Sequence, residues 1–509
     1  MRLLTNSSTG RGTWSGTLLQ NPPTHMLALI CAFQFTVWTL APLAINAGLH
    51  VNVLSVALWG REWVMLSYKH PNLPGWVFDA IESAFGTSSF ITYALAQAFV
   101  LATQLFVFLL AVDLLADPSL ALAATSLTLG IFFFSAPSTI FNHNIAQMPF
   151  WVAFIWLFGR AISSGSPWFW TWSALVAALA MYDKLSSGIL LAVAAGWLAI
   201  DPRARSSLRT ASPYLSALLF AAMTAPLAYA LMKPGLQPLT YAEHRAAIHG
   251  SQSYGLLGAI ALILACPAGI LWLSGAVRLR ELPGVLWPAA RSPPMRFICW
   301  FMLLPIGICA LLTPVTSIRI LWLSPMFSLW GIYLIGNLPR RPSSAHVARI
   351  MFVSMAVSLA AMLGYAAFSI NRTAMASTPP RWEDWPQQKI AVAMDQRWAD
   401  AVGTPLRIVA GATHLAGAVA FWSKDEPSFF EKLDPKFNPW ISEARIAREG
   451  MLIIWRPEDH AEADISKYAA HYVTQVFTTS WSASAVAEPV RFFYMIIPPA
   501  SRIQYGHSF

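Results

Sequence analysis

The sequence has few charged residues. Asp, Glu, Lys and Arg make up 11% of its 509 residues, whereas 56% are hydrophobic and the mean hydropathy is +0.52. Soluble globular domains have about 25% charged residues, so the composition excludes a soluble enzyme. Several apolar runs of about 18 or more residues instead predict a polytopic α-helical membrane protein.

Cysteine is also scarce, and its placement excludes two kinds of site. Cys31, Cys266, Cys299 and Cys309 lie in apolar segments and show no C-x-x-C spacing. We therefore expect buried thiols, and neither disulfides nor a cysteine zinc site. No metal site or required cofactor is predicted, and dependence on a divalent metal stays open. The C-terminal part also has no phosphate loop, no GxGxxG and no nucleophile elbow.

The net charge of +9 does not predict a nucleic-acid partner, because the arginines are spread over loops between hydrophobic runs. Alternate loops are rich in arginine, which is typical of cytoplasmic loops. The arginines of these loops are Arg160, Arg203, Arg205, Arg209, Arg278, Arg280, Arg291, Arg296, Arg340, Arg341 and Arg349. The pattern predicts a cytoplasmic N-terminus and an external C-terminal part.

About eleven membrane spans are predicted. They lie near 25–46, 88–112, 118–135, 145–163, 168–182, 185–200, 213–232, 255–276, 296–313, 318–336 and 347–369. The run 168–200 is divided because one helix would be about 50 Å long, whereas the hydrocarbon core is about 30 Å thick. Asp183 and Lys184 then lie in a loop recessed below the external surface.

The composition changes after residue 370, and no further membrane-length run follows. Ile390, Met394, Trp398 and Val402 recur at i, i+4 spacing, and Gly403 is placed to end that helix. LRIVAG and MLIIW are typical of buried strands, so strands and helices alternate. The predicted domains are a cytoplasmic N-terminal segment (1–24), a transmembrane domain (25–369) with an external loop (47–87), and an external α/β domain (370–509).

The stretch Asn52–Trp76 is too polar to cross a bilayer and unusually aromatic. Its tryptophan and tyrosine rings suit the membrane–water interface, and its charges suit a lipid-borne phosphate. A simpler interpretation is an interfacial anchor helix followed by a turn at Pro71 to Pro74.

Within this stretch, WGREW and YKHPNLPGW resemble the first external loop of GT-C class bacterial membrane glycosyltransferases. These are the aminoarabinose and RgtA/B/C/D-like transferases, with the protein O-mannosyltransferases as more distant relatives. FNHN, MYDKLSSG, PLTYAEHR, DEPSFF and FNPW extend the resemblance over most of the chain. It implies a multi-pass enzyme of the bacterial inner membrane with a periplasmic C-terminal domain. The implied reaction is inverting transfer of a sugar from a polyprenyl-phosphate donor to an envelope lipid or lipopolysaccharide acceptor at the external face.

The resemblance also implies a donor-phosphate site. Positive groups are needed to stabilise charge on the departing phosphate. The basic positions of the family fall on Lys69 and His70, with Arg61, Lys184 and Arg245 as further candidates. The structural alternative is that Lys69 reaches lipid headgroups and that Arg245 is a solvated charge.

The catalytic base of the family has no direct counterpart. The acidic pair of the family motif falls on Asn52 and Ser55, and an amide can hold a hydroxyl group but cannot deprotonate it. Asn52 is therefore predicted to lie in the catalytic site without serving as the base, and Glu62 and Asp183 are the candidate bases. If the alignment with the family motif is shifted by one or two residues, His50 is the only titratable residue close to the acidic position.

Two other functions stay open. The chain could be a catalytically silent relative that binds a lipid-linked sugar, or a lipid or sugar transporter or flippase. Transporters typically carry internal repeats and ionisable residues near the middle of the membrane. No repeat is evident here, and most charges fall at the ends of spans. The sequence does not indicate the sugar, the acceptor, the polyprenyl length or the oligomeric state.

Overall fold

The computed structural model describes residues 22–233, 253–289, 291–312, 319–374, 381–456, 462–480 and 489–503. Most of the predicted segment 1–24 therefore lies outside the described residues. The chain divides into two compact units. The first contains Met1–Leu40, Ala94–Pro234 and Thr240–Gly364, and the second contains Ala41–Tyr93, Gly235–Leu239 and Tyr365–Phe509.

The chain before residue 375 is helical in its described parts. In chain order the helices are α1 (Pro22–Ile45), α2 (Val51–Arg61), α3 (Leu73–Phe85), α4 (Ser89–Leu115), α5 (Pro118–Ser126), α6 (His143–Ser164), α7 (Pro167–Asp183), α8 (Ser187–Ile200), α9 (Pro202–Ser207), α10 (Ser212–Leu231), α11 (Ser253–Leu273), α12 (Leu282–Leu286), α13 (Pro293–Leu312), α14 (Ser324–Phe327), α15 (Trp330–Gly336) and α16 (Ser344–Ala374).

Six helices in the described part of the chain are long and apolar enough to cross a membrane: α1, α4, α6, α10, α13 and α16. Shorter apolar helices cover Pro118–Gly130, Ser187–Ile200 and Ile260–Leu273. The predicted total of about eleven spans stays a prediction. The division of 168–200 is confirmed, because α7 ends at Asp183 and α8 begins at Ser187.

Two predicted spans are interrupted rather than continuous. Within 118–135, α5 gives way to 3-10 turns at Leu127–Gly130 and Phe132–Phe134. The hydroxyl groups of Thr125 and Ser126 donate to carbonyls one helical turn earlier, which competes with regular helix formation. Within 318–336, the short helix α14 begins at Ser324, with Pro325 as its second residue. Both segments are mostly buried in protein, where irregular backbone can persist at membrane depth.

The first unit has a large aromatic core. Its fully buried side chains include Trp151, Phe133, Phe301, Phe327 and Tyr333. Helices α6, α13, α14 and α15 contribute most of these residues. Close packing on this scale fixes the helices against one another, so polar groups at their ends are held in defined positions.

The second unit contains a mixed sheet preceded by the amphipathic helix α17 (Gln387–Val402). The remaining elements are β1 (Ile408–Gly411), α18 (Ala416–Trp422), β2 (Ser428–Glu431), α19 (Glu443–Glu449), β3 (Met451–Trp455), α20 (Glu462–Ala469), β4 (Gln475–Thr479), β5 (Val490–Ile497) and α21 (Ala500–Ile503). The strand order is β2-β1-β3-β5-β4. Strands β2, β1 and β3 are parallel, and β5 runs antiparallel to β3 and β4.

The prediction of an α/β domain is confirmed. The four apolar residues predicted to face the core from α17 are all buried, and Gly403 ends the helix in the left-handed conformation with φ 71°. Every residue of β1 and β3 is buried.

The second unit also includes the loop 41–93, which packs on this domain. The side chain of Gln387 accepts from the Leu49 amide at 2.9 Å and donates to the Leu49 carbonyl at 2.8 Å. Helices α2 and α3 cross where Gly60 meets Gly75, and a Cβ on Gly60 would lie 2.1 Å from the Gly75 oxygen. Only glycine permits this approach.

Candidate functional site

Lys69 and His70 lie at the tip of a tight turn between α2 and α3. Leu66 and Pro71 form an isolated antiparallel bridge that closes the turn. Inside it, the Ser67 hydroxyl accepts from the amides of Lys69 at 3.2 Å and His70 at 3.0 Å, and donates to the His70 carbonyl at 3.0 Å. The serine thus fixes the backbone of both basic residues.

The Lys69 side chain rests against aromatic rings. Its Nζ lies 4.7 Å from the centre of the Tyr68 ring and 5.7 Å from that of Trp59. The two rings are buried and meet edge to face at 5.7 Å. Cation–π contacts of this kind hold an ammonium group by about 0.5–2 kcal/mol. These contacts restrain the side chain of the half-buried lysine.

Asn52 lies in the first turn of α2, where it is half-buried. His50 precedes the helix, and its Nδ1 accepts a hydrogen bond from the backbone N–H of Asn52 at 3.0 Å. Burial lowers the pKa of His50, Glu383 raises it, and Arg381 lowers it. A lowered pKa keeps the imidazole neutral near pH 7, as an acceptor at Nδ1 must be.

Arg61 is committed to contacts within the second unit. Its guanidinium forms a bidentate ion pair with Glu82 at 2.8 and 3.1 Å and donates to the carbonyls of Ala420 at 3.0 Å and Phe421 at 3.1 Å. Both charged side chains are largely buried, with 12% and 7% exposure. These contacts join α2 to α3 and to α18, which gives Arg61 a structural role.

Glu62 caps the C-terminal end of α2 and is half-buried. The next residue, Trp63, has φ +48° and is 61% exposed. Its ring stacks on Trp76 at 6.1 Å, and its Nε1 donates to Asp79 at 2.7 Å. Asp79 is therefore engaged with the indole, and Glu62 is the carboxylate of this segment closest in sequence to Asn52.

A second group of polar residues is buried in the first unit, where α7 ends and α6 begins. His143 Nδ1 lies 2.8 Å from the Asp183 carbonyl and 3.3 Å from its Oδ1. Lys184 Nζ donates to Asn144 Oδ1 at 2.6 Å and lies 5.4 Å from the Trp322 ring centre. Asp183 is fully buried and Lys184 is 4% exposed.

Further polar side chains complete this group. Gln147 donates to the Ser187 hydroxyl at 2.8 Å, and Ser324 donates to the Asn144 carbonyl at 3.2 Å. Asp183 Oδ2 accepts no hydrogen bond from any residue in the described ranges. Ionisable groups buried among apolar helices are costly and usually mark a functional site.

Sequence reasoning assigned no role to His143 and Asn144. Both belong to the family-like motif FNHN, and the motif does not indicate which other residues it contacts. The missing information was the contact with Asp183 and Lys184, which are about 40 positions away in the chain. The same separation of 40 recurs for Gln147 and Ser187, because the start of α6 and the segment from the end of α7 into α8 run side by side in the same direction.

The predicted site residues therefore fall into two groups. Asn52, Arg61, Glu62, Lys69 and His70 belong to the second unit, and Asp183 and Lys184 belong to the first. Arg245 and the PLTYAEHR motif lie outside the described residues. Within the described ranges, no group of three His, Cys, Asp or Glu residues could hold a metal ion.

Comparisons with known proteins identify the fold. Residues 69–229 match the family model described as dolichyl-phosphate-mannose-protein mannosyltransferase. No curated protein sequence matches the chain significantly. The crystal structure of ArnT from Cupriavidus metallidurans bound to undecaprenyl phosphate is similar over 93% of this chain and 98% of that one, with a TM-score of 0.64 and 11% identity. The apo structure of the same protein is similar over 94% of this chain and 98% of that one, with a TM-score of 0.63 and 12% identity.

The structural likeness spans both the helical part and the small C-terminal sheet domain, since it covers nearly all of each chain. The family match begins at Lys69 and includes the motifs FNHN and MYDKLSSG. These findings confirm the resemblance that the sequence motifs indicate, and the chain has the fold of the GT-C class of membrane glycosyltransferases.

Proposed function

We propose that the chain transfers a sugar, with inversion, from a polyprenyl-phosphate donor to an envelope lipid or lipopolysaccharide acceptor at the external membrane face. The observation that carries this proposal is the likeness over 93% of the chain to a structure bound to undecaprenyl phosphate. The family model at residues 69–229 supports it. The same likeness favours a transferase over the transporter or flippase that the sequence left open.

In this proposal Lys69 and His70 bind the donor phosphate. They follow one another at the tip of a turn held by Ser67, so both can face one phosphate group. Lys184 and Arg245 are further candidates from the family resemblance. Arg61 is left out, because its guanidinium nitrogens already donate to Glu82 and to two carbonyls.

Activation of the acceptor hydroxyl would fall to the helix that carries Asn52. The Asn52 side-chain amide can orient the hydroxyl but cannot deprotonate it. Glu62 is half-exposed and lies about 15 Å away at the other end of α2, so it is an alternative base for a hydroxyl bound at that end, whereas Asp183 is fully buried. A general base must reach the proton that it removes. The amide at position 52 also favours a second candidate function, a silent relative that binds the lipid-linked sugar without turnover.

Replacing Lys69 or His70 with alanine is expected to weaken binding of undecaprenyl phosphate by the purified protein about ten- to a hundredfold. Loss of one charge-assisted contact to a phosphate costs about 1.5–3 kcal/mol, and 1.4 kcal/mol corresponds to a factor of ten. The measurement is titration of detergent- or nanodisc-embedded protein with undecaprenyl phosphate and, in parallel, with undecaprenol.

Lys389→Ala is the matched control, since Lys389 is an exposed lysine on α17 of the same unit. It should bind undecaprenyl phosphate as the wild type does. Wild-type affinity in both the Lys69 and the His70 variants would remove these residues from the phosphate site. Equal affinity of the wild type for undecaprenyl phosphate and undecaprenol would remove the proposed donor class.

The external location is a separate proposal, motivated by the arginine-rich alternate loops. A reporter that works only in the cytoplasm should be silent when fused after Phe509, and active when fused after Arg209 in a predicted cytoplasmic loop. Activity at Phe509 would place the C-terminal domain inside the cell and contradict the proposed reaction face.

A further inference from the structure

A buried carboxylate of the C-terminal domain contacts the turn that carries Lys69. Glu431 is the last residue of β2 and is 3% exposed. Its Oε1 accepts one hydrogen bond from the Tyr68 hydroxyl and a second from the Thr413 hydroxyl, both at 2.9 Å. The family-like motif YKHP and the C-terminal domain thus meet at one carboxylate oxygen.

The backbone after Glu431 is arranged to hold this position. The Glu431 amide donates to Asn438 Oδ1 at 2.7 Å. Lys432 and Leu433 follow with φ +57° and +55°, a conformation that residues with a Cβ rarely adopt. Two such residues in succession store strain, which proteins tend to retain at functional positions.

The chain after the strained turn also places the Phe437 ring against Tyr68. The Phe437 ring lies 4.6 Å from that of Tyr68, nearly perpendicular to it. Tyr68 is therefore held by Glu431 at its hydroxyl, by Phe437 on one side and by Trp59 at 5.7 Å. Phe437 of the motif FNPW thus packs on Tyr68 of the motif YKHP, which also contains Lys69.

Packing alone does not explain why this buried position carries a carboxyl group. Glu431 Oε2 is buried and accepts no hydrogen bond from any residue in the described parts of the chain. A buried carboxylate oxygen without a partner destabilises the fold, and an uncharged side chain of the same shape avoids much of that penalty. A buried polar group of this kind calls for an explanation beyond packing.

We propose that Glu431 is a positioning residue for Lys69, acting through Tyr68. A hydrogen bond from a phenol to a carboxylate is stronger than one to a neutral acceptor and increases the negative charge of the ring. The Lys69 ammonium lies 4.7 Å from the centre of that ring, so a more negative ring holds it more firmly. Glu431 thereby fixes the ammonium group where the donor phosphate binds.

This inference rests on the proposed role of Lys69 in phosphate binding, and it makes the C-terminal domain part of the donor site. It separates two functions of Tyr68. The ring supports Lys69, whereas the hydroxyl transmits the charge of Glu431. Tyr68→Phe removes the hydroxyl and keeps the ring, whereas Glu431→Gln keeps one acceptor oxygen and replaces the other with an amide NH2 group.

The test uses the full-length protein in nanodiscs, titrated with undecaprenyl phosphate and with undecaprenol. Tyr68→Phe and Glu431→Gln are each expected to weaken binding of undecaprenyl phosphate about three- to tenfold and to leave undecaprenol binding unchanged. The decisive comparison repeats both changes in a Lys69→Met background, where neither should weaken phosphate binding further. A purely structural role would lower binding in both backgrounds and for both lipids.

Tyr494→Phe is the matched control. Tyr494 is a buried tyrosine of β5 whose hydroxyl donates to Gln475 and whose ring lies 5.7 Å from the Arg397 guanidinium. It should bind both lipids normally. If Glu431→Gln does not fold, Tyr68→Phe supplies the same comparison.

Unchanged phosphate binding in Tyr68→Phe, or an equal loss with and without Lys69, would overturn the inference while leaving the proposed function intact. A wild-type protein that does not distinguish undecaprenyl phosphate from undecaprenol would overturn both.

Discussion

Asn52→Asp is expected to raise the rate of sugar transfer by about 10² to 10⁴, the usual contribution of a general base. The residue lies in the first turn of α2, where the positive end of the helix dipole stabilises a carboxylate. The new acid can therefore be accommodated without a new partner. The measurement is the rate at which wild-type protein and variant transfer a labelled sugar from an undecaprenyl-phosphate-linked donor to an envelope lipid extract.

Asn52→Ala is the companion variant, because it removes the amide without adding a base. It should be slower than wild type if the amide orients the acceptor hydroxyl. A large gain with aspartate and a loss with alanine would identify position 52 as the place where the acceptor hydroxyl binds.

Other outcomes of this experiment identify other bases. No effect of Asn52→Asp combined with loss of transfer in Glu62→Gln or Asp183→Asn would assign catalysis to that carboxylate. A vigorous wild-type activity that all three changes leave untouched would show that the catalytic centre is elsewhere. If none of the proteins transfers sugar, the chain is a silent relative.

Arg61→Met should destabilise the protein by about 3–5 kcal/mol, the usual effect of leaving one member of a buried ion pair alone. Glu82 is 7% exposed, and Thr87 donates to it at 2.6 Å, but no other cation pairs with it in the described parts of the chain. The variant also loses the contacts of Arg61 with α18. The measurement is the thermal unfolding midpoint of the purified protein.

The double variant Arg61→Met with Glu82→Met should recover part of that loss, because no charge remains buried without a partner. Arg160→Met is a useful contrast. Its ion pair with Asp113 is more exposed, at 33% and 25%, and exposed pairs contribute less. Near-normal stability of Arg61→Met together with weakened undecaprenyl phosphate binding would return Arg61 to the phosphate site.

Several elements of the fold could be predicted because their cause is local. Apolar length predicted α1, α4, α6 and α13, and the i, i+4 spacing predicted α17 with its end at Gly403. The interruptions within 118–135 and 318–336 were not predicted, because hydropathy counts apolar residues and does not register hydroxyl-to-backbone bonds or a proline in the first turn of a new helix.

The site was less predictable, because its contacts join distant residues. The motif YKHP predicts Lys69 and His70 as site residues, but it does not predict that the Tyr68 hydroxyl bonds Glu431, more than 360 positions away. Arg61 is a phosphate candidate by its charge and its position in the motif WGREW, and its pairing with Glu82 follows no helical spacing. Asp183 and Lys184 were recognised as a pair in a recess, but their partners His143 and Asn144 became visible only once α6 and α7 were placed together.

The central claim, sugar transfer from a polyprenyl phosphate to an envelope lipid, is tested most directly by mass spectrometry of envelope glycolipids. Lipids would be compared from cells that lack the protein, express it, or express Asn52→Asp. The proposed function predicts a lipid species heavier by one hexose, pentose or uronate residue in expressing cells, with its amount increased by Asn52→Asp. Identical lipid profiles in all three, with both proteins verified in the membrane, would contradict it.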